Sequence, residues 1–189
     1  MWEWLIPVLI VVVLLVLVGV YLWASYRSLV QLNARVDEAW NDITVQLSHR
    51  AEAVNSLVDA VREYAPHERV VLAQAADASA EASTTLTPAQ AGIVEGKLQR
   101  TVVPLFQAAE AYPQLHSSHN FLQLQQSIAE VEDKIHASRR FYNGGVRELN
   151  TKMNVFPASM FARRLGMNSR EFFEVVGGAN VSEPPRVQF

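Results

Sequence analysis

The chain has no cysteine. That excludes disulfides, thiolate metal ligands, thiol catalysis and lipid attachment through cysteine, and it leaves the redox compartment undetermined. A basic surplus is missing too: 16 Lys and Arg stand against 19 Asp and Glu, a formal net charge of −3. No global positive field marks a nucleic-acid binder, so nucleic acid is not an expected partner. The usual signatures of catalysis are absent. No Gly-x-Ser-x-Gly, phosphate loop or dinucleotide fingerprint occurs. A di-iron helical bundle needs Glu-x-x-His, and here Glu63 and His67, like Glu132 and His136, are spaced by four. His67-Glu68 opens like a zinc-protease motif, but position 71 is Val. His116 and His119 have no evident third ligand and read as exposed or capping residues. The expectation is a protein that is not an enzyme, with no cofactor and no metal.

Charge is also lacking from one long stretch, since no Asp, Glu, Lys or Arg lies between Glu3 and Arg27. What fills the gap is WLIPVLIVVVLLVLVGVYLWA, residues 4–24. About 20 apolar residues at 1.5 Å each match the hydrocarbon thickness of a bilayer. Trp2 and Trp4 at one end, and Tyr21, Trp23 and Tyr26 at the other, suit headgroup-level aromatic belts. A buried core helix would need a polar face or an equally apolar companion, and neither is present. A cleaved signal peptide would need a basic start and a small-x-small site, and the chain has Met1-Trp2-Glu3 and no such site. Arg27 and Arg35 follow the run while Glu3 precedes it. The positive-inside rule then expects the amino terminus outside and the larger domain in the cytoplasm, at the inner (plasma) membrane.

From Leu29 the apolar positions Leu32, Val36, Trp40, Ile43, Leu47, Val54, Leu57, Val61 and Tyr64 recur at steps of three and four, with Arg50 on the same stripe. Nothing between Ala24 and Leu29 breaks helices, so the anchor is expected to run on as one rod about 60 residues long until Pro66. A weakly apolar, alanine-rich helix should follow from His67 to Ser83. Thr87-Pro88 reads as a cap and first helical residue for a third helix reaching Ala111. Gly92, Gly96 and Pro104 each weaken that helix, and a kink or break is expected near Pro104. After Tyr112-Pro113 a fourth helix should extend to Phe156, with Phe121, Leu124, Ile128, Val131, Ile135, Tyr142, Val146, Leu149 and Met153 on one stripe. Short pieces from MFARRLGM and REFFEVV follow, and then an extended tail with Pro184-Pro185.

Short connections predict antiparallel neighbours. The fold class is all-α: an N-terminal transmembrane helix (4–24), an antiparallel up-down four-helix bundle (25–156), and a tail of short helices and extended chain (157–189). Pairing the first and fourth helices head to tail makes opposing residue numbers sum to roughly 180. Arg50 then lies level with Glu132, a candidate core ion pair that sets register, because an unpaired buried charge costs several kcal/mol. Reversing both charges together should restore what either reversal loses. Trp40 falls level with Tyr142, Asn143, Gly144 and Gly145, where the glycines would make room for the indole. Arg139 and Asn150 complete the polar and small packing positions. The same register brings the chain after Phe156 back toward the lipid, so Phe161, Arg163, Arg164, Phe172 and Phe173 are candidates for a membrane-surface segment, or else for a cap on the bundle or on a neighbouring subunit.

These residues together resemble the LemA family along nearly the whole chain. The likeness includes the anchor, Leu29-Val30, Asn33, Val36, Ala39-Trp40, Ile43, Gln46-Leu47, Arg50, Tyr64-Ala65, His67-Glu68, Tyr112-Pro113 and Asn120-Phe121. Its most specific stretch is EDKIHASRRFYNGGVRELN, from Glu132 to Asn150, and Phe156-Pro157 and Pro185-Arg186-Val187-Gln188-Phe189 fit as well. The chain departs at Tyr26-Arg27, where the family has Tyr-Asn. It departs again at Ala53-Val54-Asn55-Ser56-Leu57-Val58, where the family has Leu-Ile-Pro-Asn-Leu-Val, and loss of that proline predicts a straighter first helix. The resemblance implies a single-pass protein with a cytoplasmic helical bundle, and no mechanism. The expected role is a membrane-anchored scaffold or adaptor with the lipid bilayer and further copies of itself as partners. The alternative is a regulatory subunit of a membrane enzyme such as a protease or histidine kinase.

Overall fold

A computed structural model describes residues 4–84, 86–116 and 118–176. Among them the regular structure is entirely helical: α1 (Leu5–Tyr64), α2 (Arg69–Ala82), α3 (Pro88–Glu110), α4 (Pro113–His116), α5 (His119–Met153) and α6 (Ala158–Arg164). The expected single rod is α1. Pro7 sits in its first turn, where a missing N–H costs nothing because the first four have no intrahelical acceptor. The helix stops one residue before the Ala65-Pro66 step, as proline's clash with the preceding residue requires. α3 starts with a reciprocal cap, in which the Thr87 hydroxyl accepts from the Gln90 N–H while the Gln90 side chain accepts from the Thr87 N–H.

The described residues form two compact units, one made of residues 4–39 with Asn143–Arg170, the other of Trp40–Tyr142 with residues 171–176. In the first unit, the amino-terminal part of α1 carries its apolar side chains bare, with Leu9 and Leu15 each 66% exposed. This is the one described helix long and apolar enough to cross a membrane, at a mean hydropathy of 3.0. Beyond it Leu29, Leu32 and Val36 are buried, as are Val146, Leu149 and Met153 of α5 and Ala158 and Ala162 of α6. Lys152 donates to the Ser28 hydroxyl and Gly145 lies against Val36, so α1 and α5 run antiparallel there.

The second unit is built around Val54, Leu57, Val58 and Val61 of α1, Leu72, Ala75 and Ala78 of α2, Val94, Leu98, Val102 and Leu105 of α3, and Phe121 and Ile128 of α5. Alanines make α2 thin, and that lets it approach α1. The fully buried Ser79 hydroxyl donates to the Ala51 carbonyl at 2.7 Å, so the one polar group on that face is satisfied.

Three local expectations are corrected. α3 passes through Pro104 without a break, held by buried Val102, Leu105 and Ala109 on its packed face. The fourth long helix begins at His119 rather than Pro113, preceded by the one-turn α4, and it ends at Met153; the Ser118 hydroxyl accepts from the Phe121 N–H at the restart. REFFEVV forms no helix, and Glu171–Val175 lack regular structure. Expectations for Trp2 and for the tail beyond Val176 lie outside the described residues.

Candidate functional site

The stripe of α1 that carries Ile43, Leu47, Val54 and Leu57 also carries Arg50, which is 2% exposed. One guanidinium nitrogen reaches Glu132 of α5 at 3.3 Å. The other is bonded to Glu95 of α3, a partner the sequence reading missed. Its signal was there: Ala91, Glu95, Leu98, Val102 and Leu105 step by four and three, so the glutamate occupies a core position of its helix. Glu132 accepts further from the Gln99 side chain at 3.0 Å, and His136 stands 3.7 Å from it.

Two carboxylates thus share one buried cation. Burial pushes the Glu95 carboxyl above the ordinary glutamate range. Arg50 pulls it back down, and the negative charge of Glu132 adds to the rise. Among the described residues, Arg50 Nε and Glu95 Oε2 are buried without a hydrogen-bond partner. Arg50 and Glu95 are enclosed, while Glu132 reaches the edge of the cluster. What it does chemically is tie three helices of the second unit through one fork of donors.

Beside it, residues from Glu171 run along α3. The Val176 N–H donates to the Gly92 carbonyl at 3.1 Å. A Cβ on Gly92 would run into the Glu174 carbonyl, and one on Gly96 into that of Val176. The two glycines that weaken α3 therefore give a backbone-wide groove, which only residues without side chains can make. Phe173 drops from this segment into the interior, fully buried, edge-on to Trp40 at 5.9 Å, while Trp40 also meets Tyr142 at 5.4 Å. The Tyr142 hydroxyl donates to the Glu171 carbonyl at 2.8 Å. Phe173 is thus a core residue and not a lipid-facing one, because its ring fills the space beside the indole.

In the first unit Asn150 brackets Arg170, accepting from its N–H at 2.9 Å and donating to its carbonyl at 3.0 Å. The Arg170 guanidinium extends to Asp37 at 2.7 Å and to the Asn33 side chain at 3.1 Å. Asn150 holds the chain that follows α6 more than it packs α1 on α5. The glycine pair also differs from expectation. Gly145 gives space to Val36, whose Cγ2 would lie 3.1 Å from an added Cβ, and Gly144 has open space around it. Asn143 is half-buried on the same turn of α5.

Of the candidate interface residues, Trp4, Trp23 and Tyr26 are exposed, with the Arg27 guanidinium 5.7 Å from the Trp23 ring centre. Phe161 packs edge-on against Tyr26 at 5.7 Å, whereas Arg163 and Arg164 are exposed. Phe172 is partly exposed in the second unit. Arg139 of α5 is half-buried, and its positive charge draws the raised Glu95 carboxyl slightly back down.

One family model, described as LemA family, matches residues 39–189. Among curated proteins the chain has no match.

Proposed function

Because the chain belongs to the LemA family, we propose that it is a single-pass, membrane-anchored helical scaffold that associates with further copies of itself at the inner face of the plasma membrane. The observation that carries this reading is the amino-terminal part of α1, whose apolar side chains have no protein cover. Bare apolar surface of that length is stable only in lipid or against other copies. Arg27 and Arg35 after the span support an outside amino terminus and a cytoplasmic domain. The antiparallel pairings of α1 with α5 inside each unit support an up-down four-helix bundle of α1, α2, α3 and α5. Arg50 acts in it as a register device, and the scaffold carries out no catalysis. Self-association draws support from Ile93, Val103, Leu122 and Phe141, large apolar side chains left exposed on α3 and α5.

A second reading, a regulatory subunit of a membrane enzyme such as a protease or histidine kinase, rests on Phe141, an aromatic 69% exposed on α5. Such a ring is a common anchor of an interface with a like or an unlike partner, so the exposed ring serves either reading. Purification of the full chain in mild detergent, followed by mass measurement, separates the two. A closed homo-oligomer supports the scaffold, and a stoichiometric foreign subunit supports the regulator. A monomer that remains water-soluble without detergent refutes both.

A further inference from the structure

We propose that α6 and the turn before it form a docking surface for anionic lipid headgroups, which holds the first unit against the membrane that its own helix enters. The inference rests on the anchor reading and adds a second lipid contact to it. Tyr26 fixes the place: it follows the last residue of the apolar run by two positions, and Phe161 of α6 packs on its ring. Lys152 bonds to Ser28 at the same level. α6 therefore lies beside the point where the uncharged stretch of α1 ends.

The surface it shows there is apolar and basic together. Val155, Phe156, Met160 and Leu165 are exposed, with Phe156 at 74%. Met160, Arg163 and Arg164 are spaced by three and four, so they share one side of the helix, and both arginines are exposed. Ala158 and Ala162 form the opposite, buried side. No aspartate or glutamate occurs in residues 149–170, nor in residues 4–36. The membrane-proximal end of the unit thus carries Arg27, Lys152, Arg163 and Arg164 with no acid among its own residues. An exposed apolar face rimmed by arginines alone is complementary to a negatively charged interface and poorly suited to contact a second copy of itself, where like charges would meet.

The test uses the absence of cysteine. Met160→Cys and, separately, Leu17→Cys are labelled with a polarity-sensitive fluorophore in the full chain. Each is reconstituted into vesicles of phosphatidylcholine alone or mixed with phosphatidylglycerol, and lipid-borne quenchers report depth. The expected result is a label at position 17 deep in both lipids and a label at position 160 quenched at headgroup depth in the anionic vesicles. Arg163→Glu with Arg164→Glu should release the label at position 160 and leave the one at position 17 unmoved. Each arginine should be worth about a fivefold change in the ratio of docked to undocked protein. A label at position 160 that sits in water in both lipids, with the one at position 17 deep, overturns the proposal and leaves the anchor intact. A label at position 17 outside the lipid overturns the anchor reading itself. Protection at position 160 that persists in detergent and follows protein concentration assigns the face to a second copy, and it too overturns the proposal.

Discussion

Arg50 and Glu132, 82 positions apart in the chain, meet with their nearest polar atoms 3.3 Å apart. The guanidinium that makes this contact also holds Glu95, so the unit of interaction is a triad. This alters what charge reversal can do. Exchanging Arg50 and Glu132 would set a glutamate at position 50 against Glu95, and restoration is not expected from the pair alone.

Arg50→Met should destabilise the protein by about 3–5 kcal/mol, because it leaves two carboxylates facing each other in a buried site. Adding Glu95→Leu to that variant should recover most of the loss, since the uncompensated charge goes with it. Denaturant titration of the wild type, both single variants and the double variant in detergent measures the coupling. Simple additivity of the two effects would refute the triad.

Glu95 has a native pKa above its unfolded value. The favourable contribution of its neutral form is whole below the unfolded value, declines as pH rises from there to the raised native value, and changes no further above it. Melting temperature should therefore fall across that window. Glu95→Gln, which keeps the shape and cannot ionise, should flatten the fall while costing about 1 kcal/mol or less in the Arg50 bond. Retention of the full pH slope in that variant would show that other groups cause it.

The helical glycines separate by what stands opposite them. Gly144→Ala should stabilise α5 by about 0.5–1 kcal/mol, since its added methyl meets nothing. Gly92→Ala and Gly96→Ala gain the same propensity, but their methyls collide with the backbone of Glu174 and Val176, and they should come out destabilised. Hydrogen exchange would show the segment from Glu171 to Val176 losing protection first. Equal effects at all three positions would mean that the segment does not dock on α3.

Asn150→Ala removes both bonds that bracket Arg170 and should cost about 1–3 kcal/mol. Its signature is local: trypsin should cut after Arg170 faster than in the wild type, with the rates at Arg163 and Arg164 unchanged. Unchanged cleavage there would count against the bracket.

The sequence by itself determined the all-helical class, the extent of α1 with its uncharged run, and which residues of α1 and α5 meet inside each unit. Each follows from local facts: a repeat of three and four places apolar side chains on one face, and proline at Pro66 and Pro113 forbids continuation. Register followed as well, because the apolar stripes of α1 and α5 are of similar length and the chain folds back between them. The tertiary structure alone decided which neighbour each face would meet. Glu95 was legible as an acid on a core stripe, but that it points at Arg50 depends on the packing of α3, which no repeat within α3 encodes. Gly92 and Gly96 looked like defects of a helix and are the floor of a groove. Phe173 fitted a lipid surface or a cap on the bundle equally from the sequence, and it is fully enclosed beside Trp40. An extended segment has no periodic hydrogen bonding of its own to announce it, so its place was fixed only when a neighbouring backbone came within reach of its N–H groups.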